Sequence, residues 1–291
     1  MDNWRPLEED HQKIITLYEE SDEEQVSKKR SLQSLHRDIV SKLYGSSPDK
    51  CSYYLKAQSS DARGYFEPSG DKLKPPAVYI FNHENFPTET RKGSSKDVDA
   101  LRKTFEKMKC TIEVVPNPTF SMVKDTVTKL TRKCFYHLSA LVIVILSHGN
   151  RKEKILACDD KEYDLDDDIL FPLYENETLA DKPKILIVQA CKGNCKADCN
   201  TKRNPSSYIK CYSTTEGFES YRNETNGSIF IQTLCNVMDQ DGLTKDFLSI
   251  IEDVNVKVEV QSDLIGWKQI PSVNKNLSRG FCFGDFVQNA T

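Results

Sequence analysis

Two residues stand out by position before they stand out by type. The run Leu141-Val-Ile-Val-Ile-Leu146 leads directly into Ser147-His148-Gly149, and Ile185-Leu-Ile-Val188 leads into Gln189-Ala190-Cys191-Lys192-Gly193. A thiolate attacks a carbonyl carbon and an imidazole protonates the leaving group, so Cys191 and His148 together could carry out nucleophilic catalysis. The adjoining glycines matter because a backbone N–H reaches a substrate only where no side chain intervenes. The N–H groups of Gly149 and Cys191 would then form an oxyanion hole, typically worth about 2.7–4 kcal/mol per donor. Taken singly, each residue also fits a plainer role: a hydrogen-bonded loop histidine, or a small core cysteine at a strand end. The other histidines are worse placed. His11 and His36 lie in an N-terminal stretch of different texture, His83 follows an edge-like first strand, and His137 precedes a strand rather than ending one.

Such a pair can meet only if the two apolar runs are neighbours. Both runs are too apolar for a half-exposed sheet and suit central strands covered on both faces. Around them the spacing predicts strands over 77–81 and 111–115 and helices over 95–109, 120–130, 227–238 and 245–256, with a closing strand over 280–287. This alternation predicts an α/β fold: a doubly wound, mostly parallel central sheet with helices on both faces. In such sheets ligands gather beyond the carboxyl ends of the central strands, where His148 and Cys191 fall.

Composition narrows the function classes. The 291 residues carry a net charge of −4, with 38% hydrophobic and 29% charged residues, which argues against a dedicated nucleic-acid binder. The longest apolar stretch, 140–146, is far short of the roughly 18 residues that span a bilayer. The first thirty residues are charged throughout, with no apolar signal-peptide core, so a cytoplasmic location and reduced thiols are expected for the ten cysteines. Residues 1–74 read as two amphipathic helices and a linker, and 75–291 as one catalytic domain. Cys191, Cys195 and Cys199 recur every four residues, with Cys211 later, which raises a thiol metal site as a competing reading. Zinc ligands more often come in tighter pairs and no histidine follows, so neither metal nor cofactor is expected. Cys110, Cys134, Cys158 and Cys235 read as core residues, and Cys195, Cys199 and Cys211 as linker residues.

The pentapeptide Gln189-Ala190-Cys191-Lys192-Gly193 resembles the caspase active-site motif, and His148 lies 43 residues upstream, near the roughly 50 typical of that family. Lys192 departs from the Arg, Gln or Gly usual at its position. Further resemblances follow in family order. Tyr79-Ile-Phe-Asn-His-Glu-Asn-Phe86 is similar to the first strand and turn, and Arg91-Lys-Gly-Ser-Ser-Lys-Asp-Val-Asp99 to the stretch leading into the first helix. Lys182-Pro-Lys184 precedes the catalytic strand. Tyr212-Ser-Thr214, Ser220-Tyr-Arg222 and Gly227-Ser-Ile-Phe-Ile-Gln232 resemble the start of the small subunit, and Lys268-Gln-Ile-Pro271 its last loop.

The resemblance implies a cysteine endopeptidase that cuts protein substrates after aspartate, made as a zymogen and acting in programmed cell death or related signalling. Arg91, Gln189 and Arg222 would grip the substrate aspartate, since planar guanidinium groups hold carboxylates with charge-assisted, often bidentate bonds. Rejection of neutral residues of about 10⁴-fold order is expected of such a polar pocket. Ser220, Tyr221 and Arg222 would pair with the substrate backbone by strand addition, with Tyr221 walling the second subsite. Asp61 and Asp198 would be the processing sites. They would leave a large-subunit part over 75–198, a linker over 199–211 and a small-subunit part over 212–291. A homodimer of such pairs joined near 281–286, an upstream activating caspase and an effector-like, short pro-region are also implied. Besides Lys192, three features depart from the pattern: short stretches between Cys191 and Tyr212 and over 256–266, and Glu219 where an aromatic is common. A catalytically silent homologue that binds and regulates an active relative is the alternative of a different class. Retention of His148, Cys191, Arg91, Gln189 and Arg222 argues against it.

Overall fold

A strand buried on both faces needs every residue, not every second one, to tolerate burial, and 77–82, 141–146 and 184–189 are buried throughout. The computed structural model describes residues 72–149, 154–191, 206–215, 220–277 and 279–288, all within one compact unit, Asp71–Thr291. Its strands are β1 (Ala77–Asn82), β2 (Thr111–Pro116), β3 (Leu141–Leu146), β4 (Lys154–Leu156), β5 (Glu162–Asp164), β6 (Lys184–Gln189), β7 (Tyr208–Tyr212), β8 (Arg222–Asn223), β9 (Gly227–Ser228) and β10 (Ser272–Asn276). Six form the central sheet in the order β10-β7-β6-β3-β1-β2, parallel except for β10, which runs antiparallel to β7. The remaining four pair as two small antiparallel hairpins, β4 with β5 and β8 with β9.

The helices are α1 (Ser94–Lys107), α2 (Phe120–Arg132), α3 (Ile229–Asp241), α4 (Phe247–Leu264) and α5 (Gly284–Val287). The period of two along each strand divides the sheet into two cores. Val142, Val144 and Leu146 face a layer containing Leu101 and Phe105 of α1, Phe230 of α3 and Phe247 of α4. Leu141, Ile143 and Ile145 face Val123 and Val127 of α2 and the helical segment 165–173. The sheet is therefore doubly wound, with helices on both faces. Burying each such Val, Leu or Ile side chain contributes about 1.5–3 kcal/mol, so the central strands are the firmest support available to groups at their tips. Local sequence starts the helices: Thr119 caps α2 by accepting from the Met122 N–H, and Asp246 caps α4 by accepting from the Leu248 N–H.

Several sequence expectations are corrected. The first strand is not an edge: β1 lies between β3 and β2, and His83 just after it is fully buried. The apolar 280–287 segment is not a closing strand. Phe281 and Phe283 instead form an aromatic cluster with Phe247 and Phe105, and the chain then turns into α5. The edge strand of that side is β10, whose Ser-Val-Asn-Lys-Asn composition gives almost no hydrophobic signal. Helix α4 runs to Leu264, past the expected end at 256, although Val256, Val260 and Leu264 are exposed. Strand β7 takes in the end of the segment read as a linker, so Cys211 is a fully buried sheet residue. Of the expected core cysteines, Cys235 is buried, Cys110 and Cys158 are half-buried, and Cys134 is exposed. Among the described residues no helix is long and apolar enough to cross a membrane. Residues 1–71, including Asp61, and residues 192–205, including Cys195, Asp198 and Cys199, lie outside the described residues.

Candidate active site

Adjacent parallel strands in register end at the same height, and this brings the two chemical residues together. Leu146 of β3 pairs with Gln189 of β6, and the Ser147 N–H donates to the Gln189 carbonyl at 3.1 Å. His148 and Cys191 therefore leave the sheet side by side. Gly149 packs against the Cys191 backbone so closely that a Cβ at Gly149 would stand 1.9 Å from the Cys191 carbonyl oxygen. Only glycine allows the two strand ends this approach. From its other side the His148 loop is held by the β4 hairpin: Leu156 N–H donates to the His148 carbonyl at 3.1 Å, and Ser147 Oγ donates to the Leu156 carbonyl at 2.6 Å.

A cleft of about 270 Å³ opens over these tips, lined by Arg91, His148, Gln189, Cys191, Ser220, Tyr221 and Arg222, with Ser147, Ala190 and Trp267. Every residue expected to bind substrate thus borders the same space as the thiol and imidazole. Arg91 comes from the segment after β1 and is 1% exposed. It donates to the His83 carbonyl at 3.1 Å and to Ser94 Oγ at 2.9 Å, while its Nε is buried without a hydrogen-bond partner among the described residues. Burial, and then the neighbouring Arg222 cation, push its pKa down to about 9, so it remains charged at neutral pH. A buried cation with a spare donor is costly unless an anion joins it. Arg222 is half-buried, donates from Nε to the Lys92 carbonyl at 3.0 Å, and is also lowered by burial.

Gln189 is 1% exposed; its Nε2 donates to Ser220 Oγ at 2.6 Å and its Oε1 has no partner among the described residues. The chain of bonds continues from Ser220 Oγ to Ser213 Oγ (2.8 Å) and from there to the Ala190 carbonyl (3.2 Å). Ser213, at the end of β7, therefore steadies the residue before Cys191. Gln269 is fully buried and accepts from the Tyr221 N–H at 2.8 Å while donating to the Ser213 carbonyl at 2.8 Å. It ties the Tyr221 wall to the sheet. Trp267 lies against Tyr221, ring centroids 5.9 Å apart.

His148 carries a pKa below the ordinary histidine value, first because of burial and next because of the Arg91 cation. Phe86 packs 4.9 Å from its ring, and Glu89 Oε1 lies 3.3 Å from its Nε2. Sequence reasoning assigned no role to Ser213, Gln269, Trp267, Phe86 or Glu89. Ser213, Gln269 and Phe86 lie inside the family-like motifs, but Trp267 and Glu89 show no pattern that would single them out.

The arrangement can hold a carboxylate on the guanidinium floor while presenting a neighbouring carbonyl to the thiol. The family model described as the caspase domain matches residues 77–282. Among curated relatives, Caspase-1 of Spodoptera frugiperda is 27% identical over 232 residues, covering 70% of this chain and 77% of that protein. Caspase-3 of Felis catus is 28% identical over 232 residues, covering 70% of this chain and 82% of the relative. The crystal structure of Caspase-1 from Spodoptera frugiperda superposes with a TM-score of 0.63 at 26% identity, covering 74% of this chain and 91% of that one. With the fold and a family match that spans both strand tips in agreement, this chain belongs to the caspase-domain family.

Proposed function

We propose that the protein is a cysteine endopeptidase that cuts protein substrates after aspartate, made as a zymogen and acting in programmed cell death or related proteolytic signalling. The observation that carries this reading is the buried Arg91 guanidinium, charged and with an Nε unpartnered among the described residues, in the same cleft as Cys191 and His148. Arg91, Arg222 and Gln189 take the substrate carboxylate. The backbone of Ser220, Tyr221 and Arg222 aligns the peptide as an added strand. The Cys191 thiol passes its proton to His148, the resulting thiolate attacks the carbonyl carbon of the aspartate, and the N–H groups of Gly149 and Cys191 receive the oxyanion. His148 gives a proton to the departing amine as the C–N bond breaks, leaving a thioester on Cys191. Water, deprotonated by His148, attacks that thioester and returns the free thiol. Activation by cutting after Asp61 and Asp198, an upstream activating protease, a homodimer of large/small pairs and a cytoplasmic location complete the reading.

The test is hydrolysis of peptides differing only in Asp, Glu or Asn at the cleavage position, by the full chain and by Cys191→Ala. The expected result is cleavage of the Asp peptide alone, abolished in Cys191→Ala. Undetectable hydrolysis of the Asp peptide, even after deliberate cutting between Cys191 and Tyr212, would reject the enzyme and favour a silent regulatory homologue. Mass spectrometry of the purified protein reads the state of Asp61 and Asp198 separately.

A further inference from the structure

The geometry points to Glu89 as a positioning residue for His148, its carboxylate steadying the imidazole and its protonated form from a tight hairpin beside the cleft. This inference rests on the proteolytic reading, in which His148 is the proton donor to the leaving amine. The hairpin is a built element. Asn85 bridges Thr90, the Phe86 N–H donates to the Glu89 carbonyl at 2.9 Å, and the Arg91 N–H donates to the Glu84 carbonyl at 2.7 Å. Its base is pinned by Asn117 Oδ1, which accepts from the Glu84 and Asn85 N–H groups at 3.0 and 2.8 Å. Asn117 itself sits at φ 48, and its N–H donates to the Asn82 carbonyl at 2.7 Å. One turn therefore presents two groups to His148: the Phe86 ring at 4.9 Å and the Glu89 Oε1 at 3.3 Å from Nε2.

Among the described residues no group makes an aligned hydrogen bond to the buried His148 Nε2, and the Glu89 contact becomes an ion pair when the ring is protonated. An attraction of this kind grows when the ring gains its charge, so it favours the proton-donating form over the resting one. The cleft needs such a group. Arg91 and Arg222, the cations that make it selective for an anion, both work against a charged His148, as does burial. His83, buried next to this region and held near pKa 4, adds no negative charge. Cys191 can supply one only while it is a thiolate, and the attack consumes that charge. Among the described residues Glu89 is the carboxylate that opposes the two arginines at His148, and it also faces Arg222. The segment that ends in the buried Arg91 thus also carries the group that offsets the arginine's effect on the histidine.

Glu89 is 63% exposed, so screening keeps the effect modest. The test uses the full chain as wild type, Glu89→Gln and Glu89→Asp. It reads the His148 titration by NMR of labelled histidine, together with kcat, KM and the pH profile on an Asp peptide. In Glu89→Gln, His148 should titrate at lower pH than in wild type, and the pH at which the imidazolium is lost should fall with it. At neutral pH kcat should drop about two- to fivefold with KM unchanged, a gap that narrows in 1 M salt. Glu89→Asp, which keeps the charge, should recover part of the loss. An unmoved His148 titration in Glu89→Gln overturns the proposal, and so does a loss confined to KM, which would place Glu89 in substrate binding through Arg222. An inactive wild type would reject the proteolytic reading, while the NMR titration would still decide the Glu89–His148 pairing.

Discussion

At the floor of the cleft Arg91 and Gln189 are each 1% exposed, whereas at its rim Trp267 is 38% exposed and Tyr221 and Arg222 are half-buried. The floor is fastened to the central sheet and to α1: Arg91 through the His83 carbonyl and Ser94, Gln189 through Ser220 and Ser213. The rim hangs on fewer ties, chiefly Gln269 to Tyr221 and the Lys92 carbonyl to Arg222. In the proposed reading the deepest part of charge recognition, Arg91 and Gln189, is buried where solvent cannot screen it, while Arg222 and the aromatic contact area stand where solvent can. A floor of this kind is expected to discriminate sharply, because a neutral substrate group would leave buried donors unpaired. A half-exposed rim is expected to accept varied neighbours.

The largest effect should come from the floor. Arg91→Met removes the buried cation, and kcat/KM for an Asp peptide should fall by on the order of 30- to 5,000-fold, as when one partner of a buried charge pair is lost. Thermal stability should hold or rise in the same variant, because a buried cation without its anion is replaced by an apolar chain of similar reach. Retained cleavage would move substrate selection off the floor and undo the comparison.

The support beneath the floor should show itself in acid. His83 is fully buried, with Nδ1 donating to the Leu146 carbonyl at 3.1 Å, and burial lowers its pKa from 6.5 to about 4. The folded protein therefore refuses a proton that the unfolded chain accepts between those values. Its contribution is complete above pH 6.5 and is lost as the pH falls toward 4, by up to roughly 3 kcal/mol. Denaturant midpoints across that window should decline in wild type, and His83→Gln should lose that part of the decline. Parallel pH profiles for the two proteins would mean that His83 carries no such burden.

The smallest effect is expected at the rim. Trp267→Ala should change folding stability by no more than about 0.5 kcal/mol, as for an ordinary surface position. Loss of its contact with Tyr221 should raise KM about two- to tenfold at constant kcat, the range expected for an aromatic pair. Steady-state kinetics beside a melting curve would measure both, and a loss larger than that of Arg91→Met would reverse the order of floor and rim.

How much of this was readable in advance depended on whether the signal was local. Strands β3 and β6 announced themselves because burial on both faces demands continuous apolar runs, and their tips pointed to His148 and Cys191. Strand β10 did not, because an edge strand held by backbone bonds to β7 needs no apolar pattern. The apolar 280–287 segment misled for the converse reason: Phe281 and Phe283 are apolar to fill a gap between helices, not to form a strand. The second half of α4 was missed because its exposed valines favour extended backbone, while Val258 and Ser262 anchor it as helix.

The amino-acid sequence by itself settled the kind of sheet, the residues at its central strand ends and, through ordered motifs, the family. Those features follow from hydrophobic periodicity and residue type, which are written along the chain. Which groups share a cleft, how deeply each is buried and what charge each one feels were decided only by the tertiary structure. Arg91 and Arg222 come from distant parts of the chain, and the repulsion and desolvation that lower the Arg91 pKa exist only once the segment after β1 and β8 are brought together, as by the Arg222 bond to the Lys92 carbonyl. Glu89 is one exposed acid among 44 acidic residues until the hairpin sets it 3.3 Å from His148.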